Sequence, residues 1–139
     1  MMHQAQHTLL IGTSGRGFTD LSRDIARWLD TTGIATGILT VFCRHTSASL
    51  VIQENADPTV LRDFETAWSR LAPDGLEYAH NTEGPDDMAA HLRTALTHTS
   101  LSVPIAAGRL LLGTWQAIYL WEHRTAPHQR QIVLHAVGQ

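Results

Sequence analysis

The chain predicts an α+β protein built on antiparallel sheet. Two observations carry this: stretches with strand character recur at short spacing, and the clearest helical patterns sit together in the middle while the last third is all strand. At 139 residues it is read as a single domain, residues 1–139, long enough to bury about two-thirds of its unfolded surface.

Residues 4–12 alternate loosely through Ala5, His7, Leu9 and Ile11 and read as a first strand. Gly12 to Gly17 is a turn whose glycines match no phosphate-loop spacing. Thr19 or Asp20 then caps a helix carrying Leu21, Ile25, Trp28 and Leu29 on one face, ended by Gly33. Thr36–Arg44 is a strand rich in branched and aromatic residues, with Cys43 inside it as a small hydrophobe. A second strand, Ala48–Gln53, shows Ala48, Leu50 and Ile52 on one side. His45, Thr46 and Ser47 fall between the two strands, where side chains reach a pocket rim.

Asp57 before Pro58 is a cap followed by a first-turn proline. The helix it starts is expected to bury Val60, Leu61, Phe64, Trp68 and Leu71, with Pro73 marking its end. A further helix runs from about Asp87 to Thr97, with Asp86 or Asp87 placed to cap it. Its Met88, His91, Leu92 and Ala95 fall on adjacent turns, so His91 is expected to face inward. Leu101–Ile105 contains Pro104 and is an edge or a strand end. Thr114–Glu122 is apolar on both faces: a central strand, or a strand with one face in a subunit interface. A turn leads to a final strand, Arg130–Val137.

Composition narrows the function classes. All ten basic residues are Arg, which excludes a Schiff-base lysine, a Walker-type phosphate lysine and a lysine general base. A net charge of −3 and no basic stripe argue against nucleic acid as a partner. No apolar run is long enough for a membrane span. The N-terminus has no signal-peptide pattern and a single cysteine fits a reducing compartment, so the expected location is the cytoplasm.

The stretch Tyr78–His91, YAHNTEGPDDMAAH, concentrates the candidate chemistry. His80 would lie on a loop, His91 on the first turns of a helix, and His45 at a strand end; imidazoles presented this way suit a three-histidine metal site. Nine histidines occur in the chain and no ligand pair has zinc-finger or HExxH spacing, so hydrogen-bonded core histidines are the competing reading. Ser47 and Ser49 near His45 do not make a hydrolase, since no G-x-S-x-G elbow is present.

The segments HTSASLVIQENADP, YAHNTEG, DDMAAHL and GRLLLGTWQAIYLWE, with the closing strand, resemble the YjbQ family (UPF0047) in the same order from about Gly15 to Gly138. The resemblance implies a twisted antiparallel β-sandwich with about three helices, assembled as a homotrimer. It implies an enzyme acting on phosphorylated small molecules: a weak thiamine-phosphate synthase, a transferase joining a pyrimidine pyrophosphate to a thiazole phosphate. It also implies a pocket holding a divalent metal such as Zn²⁺ on His45, His80 and His91, with Glu83, Asp87, Arg109, Gln116 and Glu122 at the recurring polar positions. For Arg109 the two readings are a phosphate clamp and an exposed turn arginine. For Glu122 they are a general base and an ion pair with Arg124 or Arg130. Gln116, polar in an apolar strand, needs a partner. Glu54, Asp57 or Glu83 would orient a histidine through its second nitrogen, with capping the competing role for Asp57. A metal-dependent hydrolase and a non-catalytic trimeric binding module are the alternatives. The chain departs from the family pattern at Asp87, where Asn is usual, at Arg93, where Lys is usual, and in the turn TAPHQR, which keeps only Arg130.

Overall fold

The computed structural model describes all residues 1–139. Its elements are β1 (His3–Gly12), β2 (Gly17–Asp20), α1 (Ser22–Thr32), β3 (Gly37–Cys43), β4 (Ala48–Glu54), α2 (Pro58–Leu71), α3 (Asp87–Ala95), β5 (Ser100–Ala106), β6 (Arg109–Leu110), β7 (Gln116–Glu122) and β8 (Gln129–Gly138). Five strands form one sheet in the order β1-β8-β3-β5-β6, and three form a second in the order β2-β7-β4. Every strand pair is antiparallel. The α+β class and the antiparallel sandwich anticipated from the sequence are the architecture observed.

Strand periodicity sends alternate side chains to opposite faces, and this builds the core. Leu39, Val41 and Cys43 of β3 and Ile132, Leu134 and Ala136 of β8 meet Leu50 of β4 and Ile118 and Leu120 of β7. Leu21, Ile25 and Leu29 from α1 close the same cluster. Each Leu, Ile or Val among them contributes roughly 1.5–3 kcal/mol by leaving water. Gly37 and Gly138 face each other across the β3–β8 ladder. A Cβ on Gly37 would overlap the Val137 carbonyl and one on Gly138 the Thr36 carbonyl, so the two strands can approach only without side chains there.

Several local expectations are corrected. Gly17–Asp20 is a strand paired with Gly17↔Glu122 to Asp20↔Tyr119, too short for periodicity to reveal. The cap position of α1 is Leu21, with no side-chain cap; Asp20 Oδ1 instead accepts from the Ser22 amide at 2.8 Å. Asp57 does cap α2, its side chain accepting from the Thr59 amide ahead of Pro58. That helix, however, has no fully buried residue, and Leu71 is exposed. It leans on the second sheet through Phe64 and Trp68, whose rings meet Trp121.

On α3 the buried residues are Asp87, Ala89, Ala90, Arg93 and Thr94. The inward row therefore lies a position away from the expected one, Ala95 is exposed, and His91 is part-exposed. The small Ala89 and Ala90 let the helix sit close, and Arg93 is buried because Ser69 Oγ and Glu65 receive its guanidinium. β7 begins at Gln116, leaving Trp115 exposed. From Ala117 to Glu122 it is buried on both faces as the central strand of its sheet, one of the two placements its apolar pattern allowed.

Candidate functional site

The loop between α2 and α3 is tied down at its own ends. The Tyr78 hydroxyl donates to the Pro73 carbonyl at 2.9 Å, and the Gly75 amide donates to the Pro85 carbonyl at 3.0 Å. Gly84 has φ +105, a left-handed conformation that side chains rarely adopt. The turn it permits delivers His80 back over the start of α3.

There His80 meets Asp87 and His91. His80 Nε2 lies 2.9 Å from Asp87 Oδ2, and His91 Nε2 lies 3.4 Å from the same oxygen. Asp87 and His91 share a helix face because they are four residues apart. One ligand atom from each of the three residues lies within 4.8 Å of the other two. The two rings are 5.6 Å apart between centroids. Asp87 is nearly inaccessible at 4% side-chain exposure, whereas His80 is 49% exposed, so the cluster has a fixed floor and an open rim. Glu83 Oε2 stands 3.6 Å from His80 Nε2 on the solvent side. A cavity of 330 Å³ adjoins the cluster, with Tyr78, His80, Asn81 and Met88 in its wall.

Arg124 organises this floor. Its Nη1 donates to Asp87 Oδ1 at 3.1 Å, its Nε to Asp86 Oδ2 at 3.0 Å, and its Nη2 to the Glu83 carbonyl at 2.8 Å. Asp86 occupies the cap position of α3 without making a side-chain cap. The expected cap fails because that carboxylate is spent on Arg124 and on the Thr125 amide. Burial opposes ionisation of Asp86, yet those two donors outweigh it and hold the carboxyl down at about 2. Nothing local in the sequence marks Arg124, since its partners are 37 and 38 residues away.

The remaining candidates are placed elsewhere. Glu122 is buried in an ion pair with Arg130, whose Nε donates to Oε1 at 2.8 Å; the Thr13 hydroxyl donates to the same oxygen and the Arg124 amide to Oε2. Burial disfavours its charge, but Arg130 and Thr13 more than compensate and keep it below the usual carboxylate range. With both oxygens occupied, Glu122 is a structural anion. His45 is not in the His80 cluster: its Nε2 accepts from the Gln131 amide at 2.8 Å. Burial and the neighbouring Arg130 charge lower its pKa, so the ring is neutral. Gln116 finds its partner in the Gly113 amide, 2.8 Å from Oε1, and so closes the turn before β7. At about 3.3 Å per residue it lies roughly 20 Å along the strand from Glu122. Arg109 is exposed on β6, beside Ser22 and Asp30 in a cleft against α1. The sequence-derived set thus resolves into one compact cluster of His80, Glu83, Asp87 and His91, a buried ion pair of Glu122 with Arg130 that has His45 beside it, and two dispersed residues, Arg109 and Gln116.

One buried histidine has no sequence signal at all. His123 is fully inaccessible, with Nε2 2.8 Å from Ser49 Oγ and Nδ1 without a protein partner. Burial, reinforced by the charges of Arg93, Arg16 and Arg130, pushes its pKa down to about 3.

Comparison with known proteins gives a consistent result. The family model described as "UPF0047 protein YjbQ-like" matches residues 7–139. A UPF0047 protein of Synechocystis sp. is 52% identical over 98% of this chain and 93% of its own length. The UPF0047 protein YjbQ of Escherichia coli O157:H7 is 40% identical over 96% of this chain and 98% of its own. Among solved structures, a hypothetical protein of Aeropyrum pernix superposes with a TM-score of 0.89 at 29% identity, covering 97% of this chain and 99% of that one. A YjbQ/UPF0047 family protein of Clostridium acetobutylicum gives 0.82 at 33% identity, covering 94% and 97%.

Proposed function

The chain belongs to the UPF0047 family of YjbQ-like proteins, and from that premise we propose that it is an enzyme acting on phosphorylated small molecules with a divalent metal held by His80, Asp87 and His91. The observation that carries the reading is the convergence of two imidazoles and one carboxylate oxygen within 4.8 Å. The donor set fits such an ion: Arg124 fixes one oxygen of Asp87 while the other points at both rings, and three protein donors leave coordination open to a substrate. Two histidines and a carboxylate suit Zn²⁺ and Fe²⁺ alike. When bound, the ion would supply positive charge to an anionic oxygen of the substrate. The protein's own groups position it: Asp87 is locked by Arg124, and the exposed Glu83 carboxylate, on the same Nε2 side of His80 as Asp87, is placed to take a proton rather than to orient the ring through its second nitrogen. His45, Arg109, Gln116 and Glu122 have no role in this proposal.

The finer reading is the coupling of a pyrimidine pyrophosphate to a thiazole phosphate with release of pyrophosphate, supported by the family resemblance. Hydrolysis is the second reading, and what favours it is Glu83, 62% exposed and 3.6 Å from His80 Nε2, where a base has access to water. The homotrimer is part of the proposal. Its support is the uncovered outer face of the five-stranded sheet, where Leu10, Ile38, Phe42, Pro104, Val133 and Val137 alternate with the buried residues; the charged residues in the strands of this sheet are Arg130, which is buried, and Arg109 on the edge strand β6.

Elemental analysis of untagged protein, with the His80→Ala and His91→Ala variants, tests the metal. About one zinc or iron per chain, lost in both variants while the fold survives, is the expected outcome. Protein that takes up neither ion after incubation with them overturns the reading. Pyrophosphate release and ester hydrolysis by the loaded protein then separate the two reactions, with Glu83→Gln expected to slow the second.

A further inference from the structure

A cleft of 360 Å³ runs between α1 and β6, the edge strand of the five-stranded sheet. It shares no residue with the His80 cluster. Ser22, Ala26 and Asp30 follow at steps of four residues and so lie along one face of α1, over about 12 Å. The Gly108 amide donates to the Ala35 carbonyl at 3.0 Å, just beyond the end of α1, and the Ser22 hydroxyl accepts from the Ile118 amide at 2.9 Å. The chain from Arg109 onward thus passes back along the helix, which sets Arg109 at the Asp30 end. Leu29, 2% exposed, supplies the apolar wall together with Leu110 and Leu112.

Two placements in this cleft run against local preference. Asp30 stands in the last turn of α1, where the helix dipole opposes a negative charge, and that turn holds no basic residue to offset it. Arg109 follows a tight turn in which Ala107 has φ +50 and Gly108 φ +73. Ala107 is the one residue other than glycine with a positive φ, a conformation disfavoured for a side chain. Both charges are exposed, yet they pair neither with each other nor with any other side chain. No further ionisable side chain stands in the lining. Local rules broken together at one place, with nothing inside the protein to compensate, mark a functional site.

We propose that this cleft binds a free α-amino acid with an apolar side chain. Its carboxylate takes Arg109, its ammonium takes Asp30, and its side chain lies against Leu29, Leu110 and Leu112. The charges decide the class. A phosphate or other anion would suit Arg109 but meet Asp30 in the same wall, and a simple amine would meet the reverse. A zwitterion satisfies both, and brings no net charge into a lining whose own charges cancel. The apolar wall adds affinity that two exposed ion pairs alone do not supply.

L-Phenylalanine is a suitable probe, read by calorimetry. Saturable binding in the millimolar range or tighter is expected. N-acetyl-L-phenylalanine lacks the ammonium and L-phenylalaninamide lacks the carboxylate, so each should bind about fivefold more weakly. The matched variants should remove these preferences: Asp30→Asn binds the acetyl derivative as well as the free amino acid, and Arg109→Gln does so for the amide. Both positions are exposed, so the variants are expected to keep the fold. An α-amino acid also chelates divalent ions, and the titration is therefore repeated on His91→Ala, where binding should be unchanged. Loss of binding there would put the ligand on the His80 cluster and overturn the proposal. It is also overturned if no saturable heat appears up to about 10 mM probe, if either derivative binds the parent as tightly as phenylalanine, or if the variants keep the parent's preferences. Inorganic phosphate that competes at the same concentration sinks it too, because Arg109 then acts as a plain anion site.

Discussion

Arg124 Nη1 lies 3.1 Å from Asp87 Oδ1, while Asp87 Oδ2 faces His80 at 2.9 Å. The guanidinium thereby divides the carboxylate between a structural oxygen and a free one. A carboxylate restrained in this way cannot rotate to present both oxygens to the imidazoles, so Arg124 acts on the cluster by positioning Asp87. Replacing Arg124 with Met should weaken zinc or iron binding about 10–100-fold, the usual consequence of losing a ligand's hydrogen-bonded support. Metal competition with a chelator of known affinity measures it, and an unchanged affinity would remove Arg124 from the site. Arg124→Lys should recover little, because a point charge cannot reach Asp86, Asp87 and the Glu83 carbonyl together.

Glu122 and Arg130 are both nearly inaccessible and paired to each other. Glu122→Gln leaves the Arg130 charge without its counter-ion, and we expect about 3–5 kcal/mol of destabilisation. The double replacement Glu122→Leu with Arg130→Met should cost less than the sum of the single changes, since no lone buried charge remains. Urea unfolding of the four proteins gives the coupling. Additive losses would mean the pair is not a unit.

His123 makes stability depend on pH above the range where carboxylates titrate. Its folded pKa is lowered to about 3 from 6.5, so the unfolded chain binds the proton first. Stability is then complete above pH 6.5 and falls as the pH drops below it, by about 3 kcal/mol by pH ~4.5 at 1.36 kcal/mol per unit. His123→Gln removes the titrating group and should flatten that part of the curve, whatever its effect on overall stability. Parallel urea midpoints for parent and variant between those two pH values would show that His123 is not the cause.

The exposed apolar residues on the outer face of the five-stranded sheet lead to a prediction about assembly. Phe42 is 44% exposed on β3, opposite Val133 in the ladder. If the proposed trimer forms through this face, a carboxylate placed there, Phe42→Asp, should give monomers with the fold intact, because a charge in an apolar contact must be desolvated without a partner. Light scattering reads the mass directly. A parent protein that is already monomeric, or a variant that stays trimeric, excludes this face as the contact.

Much of the fold is written locally in the chain. Asp57-Pro58 specifies the start of α2 through side-chain acceptance and a fixed φ, interactions confined to a few residues. The alternation of β3 and β8 and the doubly apolar run of β7 likewise declare burial before any partner is known. Where the local signal is short or ambiguous, tertiary contacts decided: four residues became β2 because the edge of β7 was free, and α3 turned its face so that Ala89 and Ala90 could pack closely.

The candidate site divides in the same way. The sequence by itself determined that histidines and acids would gather between Tyr78 and His91, because Asp87 and His91 are one helical turn apart and Gly84 lets the loop fold back. Only the tertiary structure decided which of them stand together and what holds them. It chose Asp87 rather than His45 as the third member, turned Glu122 toward Arg130, and brought Arg124 across 37 residues to the cluster. The physical reason is that periodicity and caps act over a few residues, whereas a charge's partner is fixed by which strands and helices come to lie side by side.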